Sequence, residues 1–347
     1  MATRDLDRIF KAYDIRGVVP DDLDADLVRR IGGAFAGWTQ APAIALGRDC
    51  RISSPELAAA IAEGATSRGV DVIDLGLAST DLLYFASGML DMPGVMLTAS
   101  HNPKQYNGLK FCLSGARPVG EETGLRELRR IVEGPEPTPV AAPGKVERRS
   151  LLDAYVEHVL SFTDVAGMRP LSVVADTANG MGGLVVPAVM ERLPVTLRHL
   201  YPELDGTFPN HPADPIDPAN QEDLRAAVSE HHADVGLAFD GDADRVFLVD
   251  EQADGVSGSL LTALVAVAML GREPGAKIVH NLICSWVVPE VVREHGGTPI
   301  RTRVGHSFIK QVMAETGAIF GGEHSGHYYF RDNYRADSGL IAAVIAM

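Results

Sequence analysis

At 347 residues the chain exceeds what one hydrophobic core usually organises, so two or three domains are expected. A hydrophobic content of 46% and a charged content of 22% are those of a soluble globular protein, and no apolar run approaches the ~20 residues of a membrane span. A net charge of −15 argues against nucleic acid as a partner, and it requires any phosphate site to be locally basic.

No basic-then-apolar leader opens the sequence, so no signal peptide is expected. Cys50, Cys112 and Cys284 are odd in number and lack C-x-x-C spacing. They argue for thiols in a reducing, cytoplasmic compartment and against a disulfide framework or zinc site.

A pattern of strand, polar turn, helix and strand recurs three times. The first copy runs from the strand Ala43–Leu46 through GRDCRISS to a helix from about Pro55 and the strand Val70–Leu75. Ser54 before Pro55 reads as an N-cap and first-turn pair. The Pro-rich stretch Gly134–Gly144 reads as the linker after this domain. The second copy is Leu171–Ala175, DTANGMGG, a helix over Leu184–Arg192, and Val195–Leu200. A boundary is expected near Glu251–Ser259. The third copy is Lys277–Asn281, LICSW, a helix over Val287–His295, and Thr298–Val304. Alternating strands and helices imply βαβ units. The expected fold is three consecutive related α/β domains, 1–145, 146–253 and 254–347, with mixed, largely parallel sheets around a central cleft.

Two loops carry chemistry. In VGLAFDGDADRVFLVD (235–250), apolar runs flank a short loop holding Asp240, Asp242 and Asp244. Three convergent carboxylates repel by about 4 kcal/mol per close pair at an effective dielectric near 20. A hard divalent cation such as Mg2+ removes that cost and prefers oxygen ligands. An EF-hand also places Asp at positions one, three and five, but Arg245 stands where that loop needs glycine and VFLVD reads as a strand. A solvated turn of aspartates is the bland alternative. In GVMLTASHNPKQYNGLKF (94–111), the strand Val95–Leu97 delivers Ser100 to a loop at its carboxyl end, the usual ligand edge of an α/β sheet. Alone, Ser-His-Asn-Pro is more often a turn than a nucleophile.

TASHNP, DGDADR, the early KAYDIRG (Lys11–Gly17) and the late GEHSGH (Gly322–His327) occur in the order found in α-D-phosphohexomutases. The chain resembles that family from about Ile9 to its last residue, most nearly in its phosphomannomutase/phosphoglucomutase branch. The resemblance implies that Ser100 carries a phosphoryl group and joins Asp240, Asp242 and Asp244 around Mg2+. It makes Arg16 and Arg245 phosphate-stabilising groups, Lys110 and His327 the acid/base pair, and His101 a support for the phosphoserine. Phosphoserine brings about −2 and the aspartates add −3, which Mg2+ with Arg16, Lys110 and Arg245 offsets. Glu323 and Ser325 are expected on sugar hydroxyls, with Gly305, His306 and Tyr13 also facing substrate. Bland readings stand beside these: Arg16 paired with Asp14, Lys110 solvated, His327 a core histidine, His306 opening a helix.

The implied reaction interconverts hexose 6-phosphate and hexose 1-phosphate, of mannose and/or glucose, through a hexose 1,6-bisphosphate. Hexose phosphates are then the expected partners, with no nucleic acid or membrane and a monomer or weak dimer. Ile283 stands about where many relatives carry a substrate lysine. Full-length relatives continue into a fourth domain that grips the non-reacting phosphate. This sequence stops within an expected helix, Ser338–Met347, so that domain is expected to be absent and turnover impaired. Three rivals remain: a phosphoglucosamine mutase, an aspartyl phosphatase using Asp240, and a catalytically dead sugar-phosphate binder.

Overall fold

The computed structural model describes residues 6–347, apart from the side chain of His306. The chain forms two compact units, divided between Leu151 and Leu152. In the first, one sheet contains β1 (Ile15–Val18), β2 (Ala43–Arg48), β3 (Asp71–Leu77), β4 (Gly94–Leu97), β5 (Tyr106–Leu113), β6 (Arg117–Pro118) and β7 (Val146–Arg148). Its helices are α1 (Ala25–Thr39), α2 (Ser54–Thr66), α3 (Thr80–Leu90) and α4 (Arg126–Glu133).

The second unit holds two sheets. One contains β8 (Leu171–Asp176), β9 (Val195–Leu200), β10 (Val235–Phe239), β11 (Val246–Val249) and β12 (Gly255–Val256), with helices α5 (Leu152–Leu160), α6 (Gly182–Met190) and α7 (Glu222–His231). The other contains β13 (Lys277–Asn281), β14 (Thr298–Thr302), β15 (Phe320–Gly322) and β16 (Tyr328–Phe330). Its helices are α8 (Gly258–Arg272), α9 (Val287–Glu294), α10 (His306–Thr316) and α11 (Gly339–Ala346).

The three sheets share one four-strand order: β5-β4-β2-β3, β11-β10-β8-β9 and β16-β15-β13-β14. In each, three strands run parallel and the strand opening the order is antiparallel to its neighbour. These are three α/β domains with mixed, largely parallel sheets. The parallel strands are apolar because helices cover them: β4 and the middle of β2 are buried without alternation. On α1, Leu27, Val28, Ile31 and Phe35 recur at helical spacing and face that core, where the Phe35 and Phe111 rings lie 4.9 Å apart. Asp24 caps α1 by accepting from the Leu27 amide.

Two local expectations change. Ser54 does not cap α2; the cap position is Ser53, and Ser54 is the first helical residue. Its hydroxyl donates instead to buried Asp49 at 2.6 Å, a stronger partner than a helix amide because the carboxylate is charged. The stretch Gly134–Gly144 does not swing free between domains. The Val140 and Gly144 amides donate to Ser67 and Thr66 carbonyls at 2.9 Å, and Arg68 donates to the Thr138 carbonyl at 3.0 Å. The chain then adds β7 beside β3, so the first unit extends to Leu151.

Candidate active site

Because the three sheets share an order, three hairpin loops occupy equivalent places. Each leaves the carboxyl end of the parallel strand beside the central one and returns antiparallel: β4 to β5, β10 to β11, β15 to β16. They are the Ser100 loop, the Asp240–Asp244 loop and the Glu323–His327 loop. Carboxyl ends of parallel strands are where open α/β sheets place ligands.

In the first unit, Ser100 is buried and sits in the left-handed backbone region, with φ at 50°. Few residues with a side chain adopt that region, so the neighbours must hold it there. Its amide donates to Thr98 Oγ1 at 2.9 Å, and its hydroxyl lies 3.2 Å from His101 Nδ1. Arg16 donates through Nε to Asp14 at 2.7 Å and through Nη1 to the Ala99 carbonyl at 3.3 Å and to Asn102 Oδ1. The ion pair with Asp14 is therefore present, and the same guanidinium also reaches the Ser100 loop. Gly108 permits this approach: a Cβ there would lie 2.5 Å from the Ile15 carbonyl and 2.8 Å from the Thr98 carbonyl. Lys110 stands on β5 across from Met96 on β4, half-buried, and Tyr13 is half-buried just before β1.

In the second unit, strands buried along their inner length force DGDADR into a tight turn, closed with Ala243 at φ 61°. Asp240, Asp242 and Asp244 are all buried, and one oxygen of each lies within 4.8 Å of the other two. Arg245, also buried, donates its amide to Asp240 Oδ1 at 3.1 Å and Nε to Asp240 Oδ2 at 2.9 Å; its Nη1 is 3.8 Å from Asp214. Burial alone would make Arg245 easier to deprotonate, but Asp240, Asp244, Asp214 and Asp242 outweigh it and hold the cation. Three carboxylates and one guanidinium give the turn a formal charge of −2. An oxygen-only donor set with that charge fits a hard divalent cation. VFLV forms the strand β11, which an EF-hand loop has no place for.

The third loop closes on the second. The Val246 amide donates to the Gly326 carbonyl at 3.3 Å, and the Tyr328 hydroxyl donates to the Val246 carbonyl at 3.3 Å. Gly326 lies at φ 87°, where a Cβ would meet the Phe247 ring at 2.6 Å. His327 Nε2 is 3.7 Å from Asp244, its Nδ1 is 3.1 Å from Ser325 Oγ, and its ring stacks on Tyr329. Glu323 is buried, accepting from Asn281 Nδ2 at 2.9 Å and from the Tyr329 hydroxyl at 2.8 Å. Burial and the adjacent Glu323 charge push the Tyr329 phenol well up, so it remains a donor. The Gly305 amide also points at Glu323, at 3.4 Å, and His306 opens α10 with its side chain outside the described residues.

The structure therefore gathers Ser100, His101 and Arg16 in the first unit. In the second it gathers Asp240, Asp242, Asp244, Arg245, Glu323, Ser325, His327 and Gly305. Sequence reasoning missed Asn281 and Tyr329, which orient Glu323, and Lys310, buried and 2.8 Å from Asp337. It also missed Arg51 in the loop after β2. A charged residue between an apolar strand and a helix cap was the available signal, but it does not reveal the partner.

Family profiles described as phosphoglucomutase/phosphomannomutase α/β/α domains I, II and III match residues 7–138, 153–255 and 257–347. A phosphomannomutase of Salmonella montevideo is 44% identical over 340 residues, covering 96% of this chain and 75% of the relative. One from Escherichia coli K12 is 43% identical with the same coverage. The solved structure of a phosphoglucomutase/phosphomannomutase family protein from Burkholderia thailandensis superposes with a TM-score of 0.90 at 36% identity, covering 97% of this chain and 76% of that one. Three matched domains, two close relatives and a superposed fold agree: the chain belongs to the phosphoglucomutase/phosphomannomutase family of α-D-phosphohexomutases.

Proposed function

We propose that the chain is a mutase interconverting hexose 6-phosphate and hexose 1-phosphate, of mannose and/or glucose, with Ser100 as phosphoryl carrier. The observation that carries this reading is a buried serine hydroxyl, held at a left-handed turn beside His101 at the carboxyl end of a parallel strand. The phosphoryl group of phosphoserine passes to the free hydroxyl of the hexose phosphate, giving the 1,6-bisphosphate and free Ser100. The bisphosphate returns its other phosphoryl group to Ser100, releasing the isomeric monophosphate. Phosphoryl transfer depends mainly on positioning and charge stabilisation.

Asp240, Asp242 and Asp244 would hold Mg2+, which supplies charge neutralisation to the transferring group. Arg16 would stabilise the phosphate from its anchorage on Asp14, and His101 would hold the Ser100 oxygen. Arg245 would hold Asp240 in place as well as counter phosphate charge. Lys110 and His327 would exchange the proton of the sugar hydroxyl, with His327 kept in orientation by Ser325 and Tyr329. Glu323, already fixed by Asn281 and Tyr329, would keep its remaining lone pairs for sugar hydroxyls. Gly305, His306 and Tyr13 complete the proposed substrate contacts.

Intact mass before and after incubation with glucose 1,6-bisphosphate tests this. Wild type should gain one phosphoryl group and Ser100→Ala none. Phosphate trapped on Asp240 with none on Ser100 would overturn the reading in favour of an aspartyl phosphatase. Turnover on glucosamine 6-phosphate above that on mannose 6-phosphate would favour a phosphoglucosamine mutase.

A further inference from the structure

Arg51 lies between β2 and α2, yet it is only 1% exposed. An arginine has five N–H donors, and here every one is directed. Nε goes to Asp49 at 3.1 Å, Nη1 to the Pro103 and Tyr106 carbonyls at 2.9 and 3.0 Å, and Nη2 to the Ser100 and Asn102 carbonyls at 2.8 and 2.7 Å. Four of the five thus end on the main chain of the segment that carries Ser100. Asp49, itself buried, also accepts the Arg51 amide and the Ser54 hydroxyl, and it is hydrogen-bonded to Thr98. Thr98 in turn accepts the Ser100 amide.

The equivalent loop in each other domain also braces the neighbouring hairpin. After β8, the Met181 amide donates to the Gly241 carbonyl at 2.9 Å; at the last residue of β13, Asn281 donates to Glu323. Among these three braces the one in the first domain is a charged fork, and there the braced residue Ser100 sits at a positive φ. A strained backbone persists only where its surroundings over-determine it.

We propose that Arg51 is a positioning residue for Ser100: it fixes the 100–106 segment so that the loop stays in place whether Ser100 is loaded or free. The inference rests on the reading of Ser100 as phosphoryl carrier. Lysine offers three donors from a single nitrogen and cannot reach four carbonyls and Asp49 together.

The test compares wild type with Arg51→Lys. Single-turnover phosphoryl uptake from glucose 1,6-bisphosphate is followed by intact mass, and amide hydrogen exchange is followed over residues 98–107. In the variant, the maximal uptake rate should fall about 100-fold while the half-saturating bisphosphate concentration stays unchanged. Exchange should quicken over 99–106 and not in β2 or β4. Wild-type uptake in a folded variant, slow uptake with unchanged loop exchange, or loosening spread over the whole first unit would each overturn the proposal. Should Arg51→Lys not fold, wild-type exchange decides: the loop must be as protected as β4 before and after phosphorylation, and a loop that opens in either state refutes the proposal. If wild type takes up no phosphoryl group, the Ser100 reading fails, and loop exchange alone then judges Arg51.

Discussion

Asp240 and Asp242 are two residues apart, equally buried and equally charged, yet their substitutions should differ in sign. Asp240 is the counter-ion of Arg245, which is only 4% exposed. Neutralising it leaves a buried guanidinium short of its partner, and breaking a buried pair costs about 3–5 kcal/mol. Asp242→Asn removes like-charge repulsion within the same turn. In chelator-treated protein, urea unfolding should show Asp240→Asn clearly destabilised and Asp242→Asn equal to or more stable than wild type. Losses of similar size in both would show that the turn is not under electrostatic strain. Gly326→Ala poses a separate steric question. A side chain at φ 87° against the Phe247 ring should cost about 1–3 kcal/mol, read in the same titration.

At this scale the aspartates were legible because their spacing, between two apolar runs, leaves few places for their charge to go. Arg51 was not. Four of its five acceptors lie 49 to 55 positions further along the chain, and they are carbonyls, which every residue has. No side-chain pattern marks a main-chain acceptor.

The elements read from sequence were those with an apolar reason to exist. Strands such as Val195–Leu200 and Lys277–Asn281 coincide with their expected ranges. The edge strand β7 was invisible because all three of its residues, Val146, Glu147 and Arg148, are exposed and show no alternation. The equivalence of the three candidate-site hairpins was equally hidden. TASHNP, DGDADR and GEHSGH share no residues in register, and only the strand order relates them. The segment between β9 and α7 also depends on contacts that no pattern announces. His211 binds Asp176, at the carboxyl end of β8, at 3.0 Å; Asn210 donates to Asn179 at 2.7 Å; and Asp214 faces Arg245.

Burial would lower the His211 pKa, but Asp176, with a smaller contribution from Asp223, outweighs it and raises the value above the ordinary 6.5. A raised folded pKa means the imidazolium stabilises the fold. Its contribution is complete below about pH 6.5 and disappears as pH rises through the higher folded value. The gap in thermal midpoint between wild type and His211→Gln should therefore be larger at about pH 5.5 than at about pH 8.5. Histidines common to both proteins cancel in that difference. A gap independent of pH would mean that the ring is held by shape alone.

Across the whole molecule, the acidic turn and the loop that closes on it belong to one unit. Asp240, Asp242 and Asp244 share a hairpin, and the Gly326 carbonyl and Tyr328 hydroxyl fasten the third loop to Val246 within Leu152–Met347. A cation bound there favours the folded form of that unit over its unfolded chain, where three convergent carboxylates no longer exist. At a hundredfold excess over Kd the gain is about 2.7 kcal/mol. For a unit of this size that is a rise of about 5–11 °C in midpoint. In Ser100→Ala, where the aspartates alone are left to hold the cation, amide exchange during a temperature series should show Mg2+ raising the opening temperature of 235–249 and 320–330. Peptides from β2 and β4 should keep theirs. Asp242→Asn combined with Asp244→Asn should abolish the effect while leaving the first unit untouched. A rise shared equally by both units, or one that survives the double substitution, would place the cation elsewhere. Screening by added Mg2+ is controlled with an equal ionic strength of sodium chloride.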